Sequence, residues 1–151
     1  MHSDHFPDCF HRVTVKGLCV RDGKVLIEHQ SEEKFSGSWE LPGGGLDFGE
    51  DVKAGLMREI KEEIGLEVTK ISSAPVYVWT SRHENNIRNI GWYYVLVLVY
   101  RVEFDSLDFI TSEECDAIEF VSKEKLQSVN LSTQILPLRN IFNPDDFKGD
   151  F

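Results

Sequence analysis

Cysteine is scarce in this sequence, with three residues among 151. Cys9, Cys19 and Cys115 are odd in number and widely spaced, a pattern that favours reduced thiols over a disulfide framework or a zinc site. His5 and His11 lie on either side of Cys9, but no closed set of four metal ligands is completed there, so we interpret this segment as a mobile arm. Disulfide-stabilised scaffolds are thereby excluded.

A long apolar run and a targeting segment are also missing. The longest apolar run, residues 92–100, is much shorter than a membrane helix and predicts a buried strand. The first ten residues contain neither a basic region nor an apolar stretch of signal-peptide length. We therefore expect a cytoplasmic protein that makes no contact with a membrane.

Basic residues are in the minority: 16 lysines and arginines face 26 aspartates and glutamates, and the formal net charge is −10. A nucleic-acid polymer is therefore not expected as a partner, because neutralising its backbone requires a basic face. A small phosphorylated ligand remains compatible, since cations bound at an acidic site reverse the local charge.

The composition predicts one globular domain. Hydrophobic residues make up 41% of the chain and charged residues 28%, which argues against disorder. The length of 151 residues suffices for one core but not for two domains of ordinary size. We place the domain at residues 1–151, with flexible ends at 1–8 and 144–151.

Turn signals and apolar patterns divide the chain into strands and helices. Asp22-Gly23 separates two strand-like segments and predicts a hairpin. The polar residues 81–91 predict a hairpin loop, and Pro137 interrupts a helical pattern over residues 133–142. The predicted strands are residues 12–22, 24–29, 39–41, 66–72, 76–80, 92–103 and 118–121, and Ser122 is a candidate cap for a short helix to residue 128. This order favours a mixed sheet covered on both faces.

Residues 44–66, from Gly44 to Leu66, contain the most informative pattern. Residues 51–64 lack proline, and Gly65 stands where a left-handed C-terminal cap would lie. The apolar positions recur with helical spacing, at Val52, Leu56, Ile60 and Ile64. The pattern predicts an amphipathic helix.

Three glutamates of this helix, Glu59, Glu62 and Glu63, stand at positions i, i+3 and i+4 and share one face beside the apolar strip. Crowded carboxylates disfavour one another's ionisation, and oxygen ligands at this density suit a hard divalent ion. The sequence therefore predicts a metal site for Mg²⁺, with Mn²⁺ as an alternative.

The same segment resembles the signature of the Nudix hydrolases at every defining position. The pattern is Gly44, five residues, Glu50, seven residues, Arg58-Glu59-Ile60, one residue, Glu62-Glu63, one residue and Gly65-Leu66. The preceding Trp39-Glu40-Leu41-Pro42-Gly43 is also similar to the family's approach to this motif. The resemblance implies an α/β fold, specifically an α/β/α sandwich with a mixed β-sheet, and a Mg²⁺-dependent pyrophosphohydrolase acting on a nucleoside diphosphate linked to another moiety.

The resemblance also implies roles for single residues. Glu62, Glu63 and the carbonyl group of Gly43 correspond to metal ligands, and Glu59 corresponds to a ligand or to the general base that handles the attacking water. Arg58 precedes Glu62 by four residues, so it can orient that carboxylate through a charge-assisted hydrogen bond.

Two further acidic positions are less specific. Glu50 resembles the family's supporting glutamate, although a simple charge interaction with the positive end of the helix explains it equally well. The family often supplies another acid from a later loop, where Glu113 and Glu114 are the candidates and Glu114 is preferred.

The motif leaves the substrate-binding residues unknown. Many relatives carry a basic residue at the end of the second strand, where this chain has Glu28-His29-Gln30. Pro75 does not stand at the offset typical of the ADP-ribose branch of the family. Possible phosphate contacts are Arg12, Lys34, Arg82 and Arg88, and possible stacking partners for a base are Phe35, Trp79, Trp92 and Tyr93.

Two classes of function are therefore considered. The first is the hydrolase, whose substrate is a nucleoside triphosphate, a nucleotide sugar or a related small molecule. The second is a non-catalytic module that binds a nucleotide or a protein through the same fold. The intact set of Glu59, Glu62 and Glu63 favours catalysis, because a pure sensor has no need of all three. The oligomeric state is open, with a homodimer as one option.

Overall fold

The computed structural model describes residues 11–33, 35, 37–85, 91–149 and 151. The described strands are β1 (His11–Leu18), β2 (Val20–Arg21), β3 (Lys24–Gln30), β4 (Trp39–Glu40), β5 (Gly43–Gly45), β6 (Val68–Ile71), β7 (Tyr77–Asn85), β8 (Gly91–Phe104) and β9 (Cys115–Val121). The described α-helices are α1 (Val52–Ile64), α2 (Lys123–Leu126) and α3 (Leu138–Ile141), and Thr133–Ile135 and Pro144–Phe147 form 3₁₀ helices.

Hydrogen bonding groups the described strands into two sheets. One sheet has the order β5-β1-β8-β6, with β7 also paired to β8, and the other has the order β2-β3-β4, with β9 paired to β3. The pair β1 and β8 is parallel, whereas the other pairs are antiparallel. The mixed character predicted from the sequence is therefore confirmed.

Helix α1 forms as the sequence predicts. The carboxylate of Asp51 accepts a hydrogen bond from the backbone N–H of Ala54 at 3.0 Å and caps the first turn. Gly65 has φ = 70° and its N–H donates to the carbonyl group of Lys61, which ends the helix in the left-handed conformation. The apolar strip is buried at Leu56, Ile60 and Ile64.

Two hydrophobic cores lie on opposite sides of the strands. Helix α1 packs on one side, where Val15, Tyr100 and Val102 are buried against it. The C-terminal helices cover the other side, where the alternate residues Val95, Val97 and Val99 point. Successive side chains of β8 thus point to opposite faces of the sheet and contribute to both cores. The resulting α/β/α sandwich confirms the predicted fold class.

The predicted hairpin at Asp22-Gly23 is also confirmed. Both residues have positive φ, 51° and 73°, as a two-residue turn between antiparallel strands requires. The turn carries the chain from β2 into β3 and so begins the second sheet.

The loop predicted for residues 81–91 is wrong at both ends. Strand β7 continues to Asn85 and β8 begins at Gly91, while residues 86–90 lie outside the described residues. Polar side chains suggested a loop, but antiparallel pairing with β8 satisfies the backbone of β7 whatever its side chains are.

The C-terminal region consists of short pieces. The helical pattern over residues 133–142 is divided at Pro137 into a 3₁₀ helix and α3, because proline lacks the N–H that a continuous helix would use. Pro144–Phe147 follows in the segment for which the sequence predicts a flexible end, and Phe147 is buried there. No helix in the described part of the chain has the length and apolar character needed to cross a membrane.

Candidate active site

Arg58 gathers three of the predicted glutamates around one guanidinium group. Its Nε and Nη2 atoms donate to both carboxylate oxygens of Glu50, at 2.7 and 2.9 Å. Its Nη1 atom donates to Glu59 at 3.0 Å and to Glu62 at 3.1 Å. The predicted contact between Arg58 and Glu62 is therefore present, and the arginine also connects the loop before α1 to the helix face.

These contacts favour the ionised form of Glu50. The hydrogen bonds from Arg58, followed by one from the backbone N–H of Asp47, lower the pKa of Glu50 to about 2. The pKa of Arg58 is raised in turn, first by its hydrogen bonds to Glu50. Glu50 thus acts as an anchor for the arginine in addition to its position near the start of α1.

Glu63 points away from Arg58 into the interior. Its Oε2 atom accepts a hydrogen bond from the backbone N–H of Gly43 at 3.2 Å. A side-chain hydrogen bond joins it to Glu28, a residue of β3 that is 2% exposed. Burial and the neighbouring carboxylate raise the pKa of Glu28 well above its ordinary value, and burial raises the pKa of Glu63.

One oxygen atom of this pair lacks a partner. Among the buried side-chain atoms of the described residues, Glu28 Oε2 is the one polar atom without a hydrogen bond. A buried acceptor left in this state is costly, so a donor or a cation at this position would stabilise the site.

Lys16 supplies a buried positive charge beside these acids. Its Nζ atom donates to the carbonyl oxygen of Gly43 at 3.0 Å and lies 3.5 Å from Glu40 Oε1. Burial alone would lower the pKa of Lys16, but the negative charges of Glu40, Glu63 and Glu28 raise it above the ordinary value. The ammonium form is therefore favoured.

Glu59 lies directly against the glycine turn of β5. A Cβ atom placed on Gly44 would stand 2.5 Å from Glu59 Oε2, so the backbone and this carboxylate approach each other as closely as glycine permits. Burial raises the pKa of Glu59, against the opposing effect of Arg58. The turn and the helix thus form one wall of the site.

A cavity of about 470 Å³ opens beside this wall. Its size falls in the range typical of small-molecule sites, roughly 300–1,000 Å³. Its lining combines basic residues, rings, acids and polar groups, namely Arg12, Lys16, Phe35, His83, Tyr93, Glu28, Glu40, Glu63, Glu114, Gln30, Thr14, Ser132, Thr133, Gln134, Val95 and the three glycines of β5. The rings of His83 and Tyr93 are stacked with centroids 5.5 Å apart.

The two loop acids face different surfaces. Glu114 lines the main cavity, whereas Glu113 lines a separate depression together with His29 and Asp116. Ser112 fixes the loop, because its hydroxyl donates to the carbonyl group of Glu63 at 2.9 Å and accepts from the N–H of Glu114. This arrangement brings Glu114 to the cavity lined by Glu63.

The other candidates for substrate contacts are distributed unevenly. Arg12, Phe35 and Tyr93 line the cavity. Trp79 belongs to the core, where its indole N–H donates to the carbonyl group of Gln134 at 2.8 Å. Arg82 is exposed on β7 and is absent from the cavity lining. Lys34, Arg88 and the side chain of Trp92 lie outside the described residues.

The predicted metal ligands are close in the fold but do not converge. Among the described residues, no group of three histidine, cysteine, aspartate or glutamate side chains is arranged to hold a metal ion. Glu59 and Glu62 are turned to Arg58, Glu63 is turned to Gly43, and the carbonyl oxygen of Gly43 accepts from Lys16. The donor atoms nevertheless fit Mg²⁺, since all are carboxylate or carbonyl oxygens and one buried carboxylate oxygen nearby lacks a partner.

Sequence reasoning missed three buried charged residues of the site: Lys16, Glu28 and Glu40. Each stands in or beside an apolar strand segment, and charged residues are almost never fully buried unless paired. A lysine within Val15-Lys16-Gly17-Leu18 and a glutamate after Leu26-Ile27 were therefore signals of a buried pair. The pairing of β3 with β4 places Glu28 opposite Glu40, and the pairing of β1 with β5 places Lys16 opposite Gly43, so the group forms between segments that are distant in the sequence.

Comparison with known proteins agrees with the geometry. The family model of the NUDIX domain matches residues 10–140 of this chain. The chain is similar to the nucleoside triphosphatase NudI of an Enterobacter strain, with 30% identity over 80% of this chain and 89% of the relative. An ADP-ribose pyrophosphatase of Methanocaldococcus jannaschii is 41% identical, but over 40% of this chain and 36% of that protein.

Solved structures show the same fold. A MutT protein from Methanosarcina mazei Go1 superimposes with a TM-score of 0.70 at 23% identity, covering 93% of this chain and 99% of that one. The E. coli ORF135 protein gives a TM-score of 0.67 at 22% identity, covering 89% and 90% of the two chains. With the domain match over most of its length and the complete motif on α1, this chain belongs to the NUDIX domain family, the Nudix hydrolases.

Proposed function

We propose that the protein is a Mg²⁺-dependent hydrolase that splits the diphosphate linkage of a nucleoside diphosphate derivative, with nucleoside triphosphates as the first substrates to test. The observation that carries this proposal is the cavity in which Glu63 and Glu114 meet the glycine turn of β5. A cavity with oxygen ligands at one end and basic and aromatic side chains elsewhere suits a molecule with a diphosphate group and a ring.

The choice of nucleoside triphosphates follows from the extent of the similarities. The relative named a nucleoside triphosphatase is matched over 80% of this chain, whereas the similarity to the ADP-ribose pyrophosphatase covers 40%. The shorter match therefore says less about the part of the chain that contacts a substrate's base. Nucleotide sugars and ADP-ribose belong in the same panel as competing substrates.

Four groups of this chain would hold the metal: Glu59, Glu62, Glu63 and the carbonyl oxygen of Gly43. A bound Mg²⁺ supplies charge neutralisation for the phosphates and lowers the pKa of water. Arg58 keeps Glu59 and Glu62 in place through its hydrogen bonds and is itself fixed by Glu50. Glu59 and Glu114 are the two candidates for accepting the proton of the attacking water.

Three side chains of the cavity are suited to the rest of the substrate. Arg12 lies against the glycine turn, since a Cβ atom on Gly45 would stand 2.1 Å from its Nη2 atom, and it is positioned for a phosphate. The stacked His83 and Tyr93 offer ring faces and edges to a base. Positively charged and aromatic contacts thus complement the acidic end of the cavity.

The test is phosphate or pyrophosphate release from a panel of nucleoside triphosphates, nucleotide sugars and ADP-ribose with Mg²⁺. On the best substrate, Glu59→Gln and Glu62→Gln should each lower kcat by roughly a hundredfold or more, because charge stabilisation at the phosphates is lost. Glu67→Gln, an exposed acid just beyond α1, is the matched control and should keep normal turnover. Near-normal turnover of either variant would remove that residue from the mechanism. Tight nucleotide binding with no turnover would instead identify a binding module.

A further inference from the structure

Lys16 is an unusual residue for its position. It lies in the middle of β1 with 4% of its surface exposed, and its strand neighbours Val15 and Leu18 are fully buried. An ammonium group loses strong hydration on burial, so it persists only where other groups replace the water. Here those groups are the Gly43 carbonyl oxygen and the carboxylate of Glu40.

More acidic groups surround Lys16 than its single positive charge can balance. Glu40 and Glu28 are each 2% exposed, and both act on Lys16 together with Glu63. Glu40 is further fixed by the N–H of Leu41, which donates to the same Oε1 atom that faces the ammonium group. Lys16 therefore lies at the centre of a buried acidic cluster rather than in a simple ion pair.

We propose that Lys16 is a positioning residue that competes with the divalent cation for the Gly43 carbonyl oxygen and holds the acidic cluster together when that cation is absent. The inference rests on the proposed function, because it takes the Gly43 carbonyl oxygen and Glu63 as metal ligands.

The geometry gives the competition its physical basis. The carbonyl oxygen that the motif assigns to the metal is the atom that accepts from Nζ at 3.0 Å. An ammonium ion next to that oxygen repels a second cation, and buried charges are poorly screened. When the metal binds, the ammonium group must either move away or remain and repel the second cation. Both alternatives cost free energy and weaken the apparent affinity for the metal.

The competition predicts the sign of a binding change that a purely structural lysine would not produce. Lys16→Met keeps the aliphatic length and removes the charge, so the folded variant should bind Mn²⁺ about tenfold more tightly than the wild type, a coupling of ordinary size. Lys16→Gln, which is neutral but can still donate to the Gly43 carbonyl oxygen, should shift affinity in the same direction by less. The probe is Mn²⁺ alone, followed by electron paramagnetic resonance of the free ion and checked with Mg²⁺ calorimetry.

Lys61→Met is the matched control. Lys61 lies on α1 but points to Glu67 in solvent, where salt screens its charge. The Lys61→Met variant loses the same formal charge as Lys16→Met. Because the charge of Lys61 is screened, the Mn²⁺ affinity of this variant should stay near the wild-type value. An equal change in both variants would show a general charge effect and overturn the proposal.

The remaining outcomes separate this inference from the proposed function. Wild-type or weaker Mn²⁺ affinity in folded Lys16→Met would overturn the competition while leaving the metal site intact. If Lys16→Met does not fold, Mn²⁺ binding to Lys16→Gln is the test: tighter binding than in the wild type supports the competition, and equal or weaker binding overturns it. A wild-type protein that binds no Mn²⁺ would overturn the metal site and the competition together.

Discussion

At the scale of single residues, Glu28 combines complete burial with an unfavourable charge environment. It is 2% exposed, one of its oxygen atoms has no hydrogen-bond partner among the described residues, and Glu63 and Glu40 add negative charge nearby against the opposing charge of Lys16. Its folded-state pKa is raised, so between the unfolded pKa, about 4.3, and the folded pKa the native state binds more protons than the unfolded chain. The stability of the metal-free protein therefore decreases as pH rises through this window.

Glu28→Gln should remove that dependence. The amide keeps the shape of the side chain and can donate to Glu63, so the metal-free variant should be more stable than the wild type at pH 8, and the difference should shrink as pH falls toward 5. Urea unfolding with a chelator at several pH values measures it. Glu119→Gln, at an exposed position of β9, is the control and should show no such trend. A variant less stable than the wild type at pH 8 would contradict the raised pKa of Glu28.

The loop acids offer a matched pair. Glu114 lines the main cavity and Glu113 lines the separate depression. We therefore expect Glu114→Gln to lower kcat by roughly a hundredfold, within the range of general base catalysis, and Glu113→Gln to have a small effect. Steady-state rates over pH 6 to 9 on the best substrate check both. Two small effects would exclude this loop from the mechanism and leave Glu59 as the candidate base.

At the scale of elements, the end of α1 depends on one backbone conformation. Gly65 has φ = 70°, and a Cβ atom there would make ordinary contacts with Ile110, the nearest atom being 3.6 Å away. Gly65→Ala should therefore cost about 1 kcal/mol of unfolding free energy through backbone strain alone. Gly65→Asn, which tolerates the left-handed region better, should cost less. Thermal or urea unfolding compares the two, and equal losses would mean that the space around the glycine matters instead.

Local signals explain which elements could be predicted. The C-terminal cap at Gly65 and the turn at Asp22-Gly23 each depend on a few neighbouring residues, and both are found as predicted. The extension of β7 to Asn85 depends on pairing with β8, a contact between distant segments that side-chain polarity does not encode. The short C-terminal helices likewise owe their stability to burial of Leu138 and Phe147 rather than to helix propensity.

The same division holds within the candidate site. The motif identified Arg58 and its glutamates, because their spacing along one helix fixes which side chains meet. Lys16, Glu28 and Glu40 were not identified, because β1, β3 and β4 bring them together from separate segments. The spacing predicted the contact of Arg58 with Glu62, but the contacts of Arg58 with Glu50 and Glu59 and of Lys16 with Gly43 depend on side-chain orientations that spacing does not reveal.

At the scale of the whole molecule, the net charge of −10 makes cation binding a question of stability as well as of rate. The acids of the site are held by two internal cations, Arg58 on the helix side and Lys16 on the strand side. Burial nevertheless raises the pKa of both Glu59 and Glu63, so their ionised forms are less favourable in the folded protein than in the unfolded chain. A ligand that binds these groups in the folded state alone should stabilise the protein by mass action.

Millimolar Mg²⁺ should therefore raise the melting temperature of the wild type in a concentration-dependent way. Replacing Glu59, Glu62 and Glu63 together by Gln should abolish this response, and because Glu63 no longer carries a buried charge, the metal-free variant should be no less stable than the wild type. The control replaces Glu33, Glu119 and Glu124, three exposed acids, and so changes the net charge by the same amount. This control variant, with Gln at all three positions, should keep the full rise in melting temperature with Mg²⁺, since diffuse surface charge does not form a site. An equal response in both triple variants would show that Mg²⁺ acts through the overall charge and that the helix face is not the metal site.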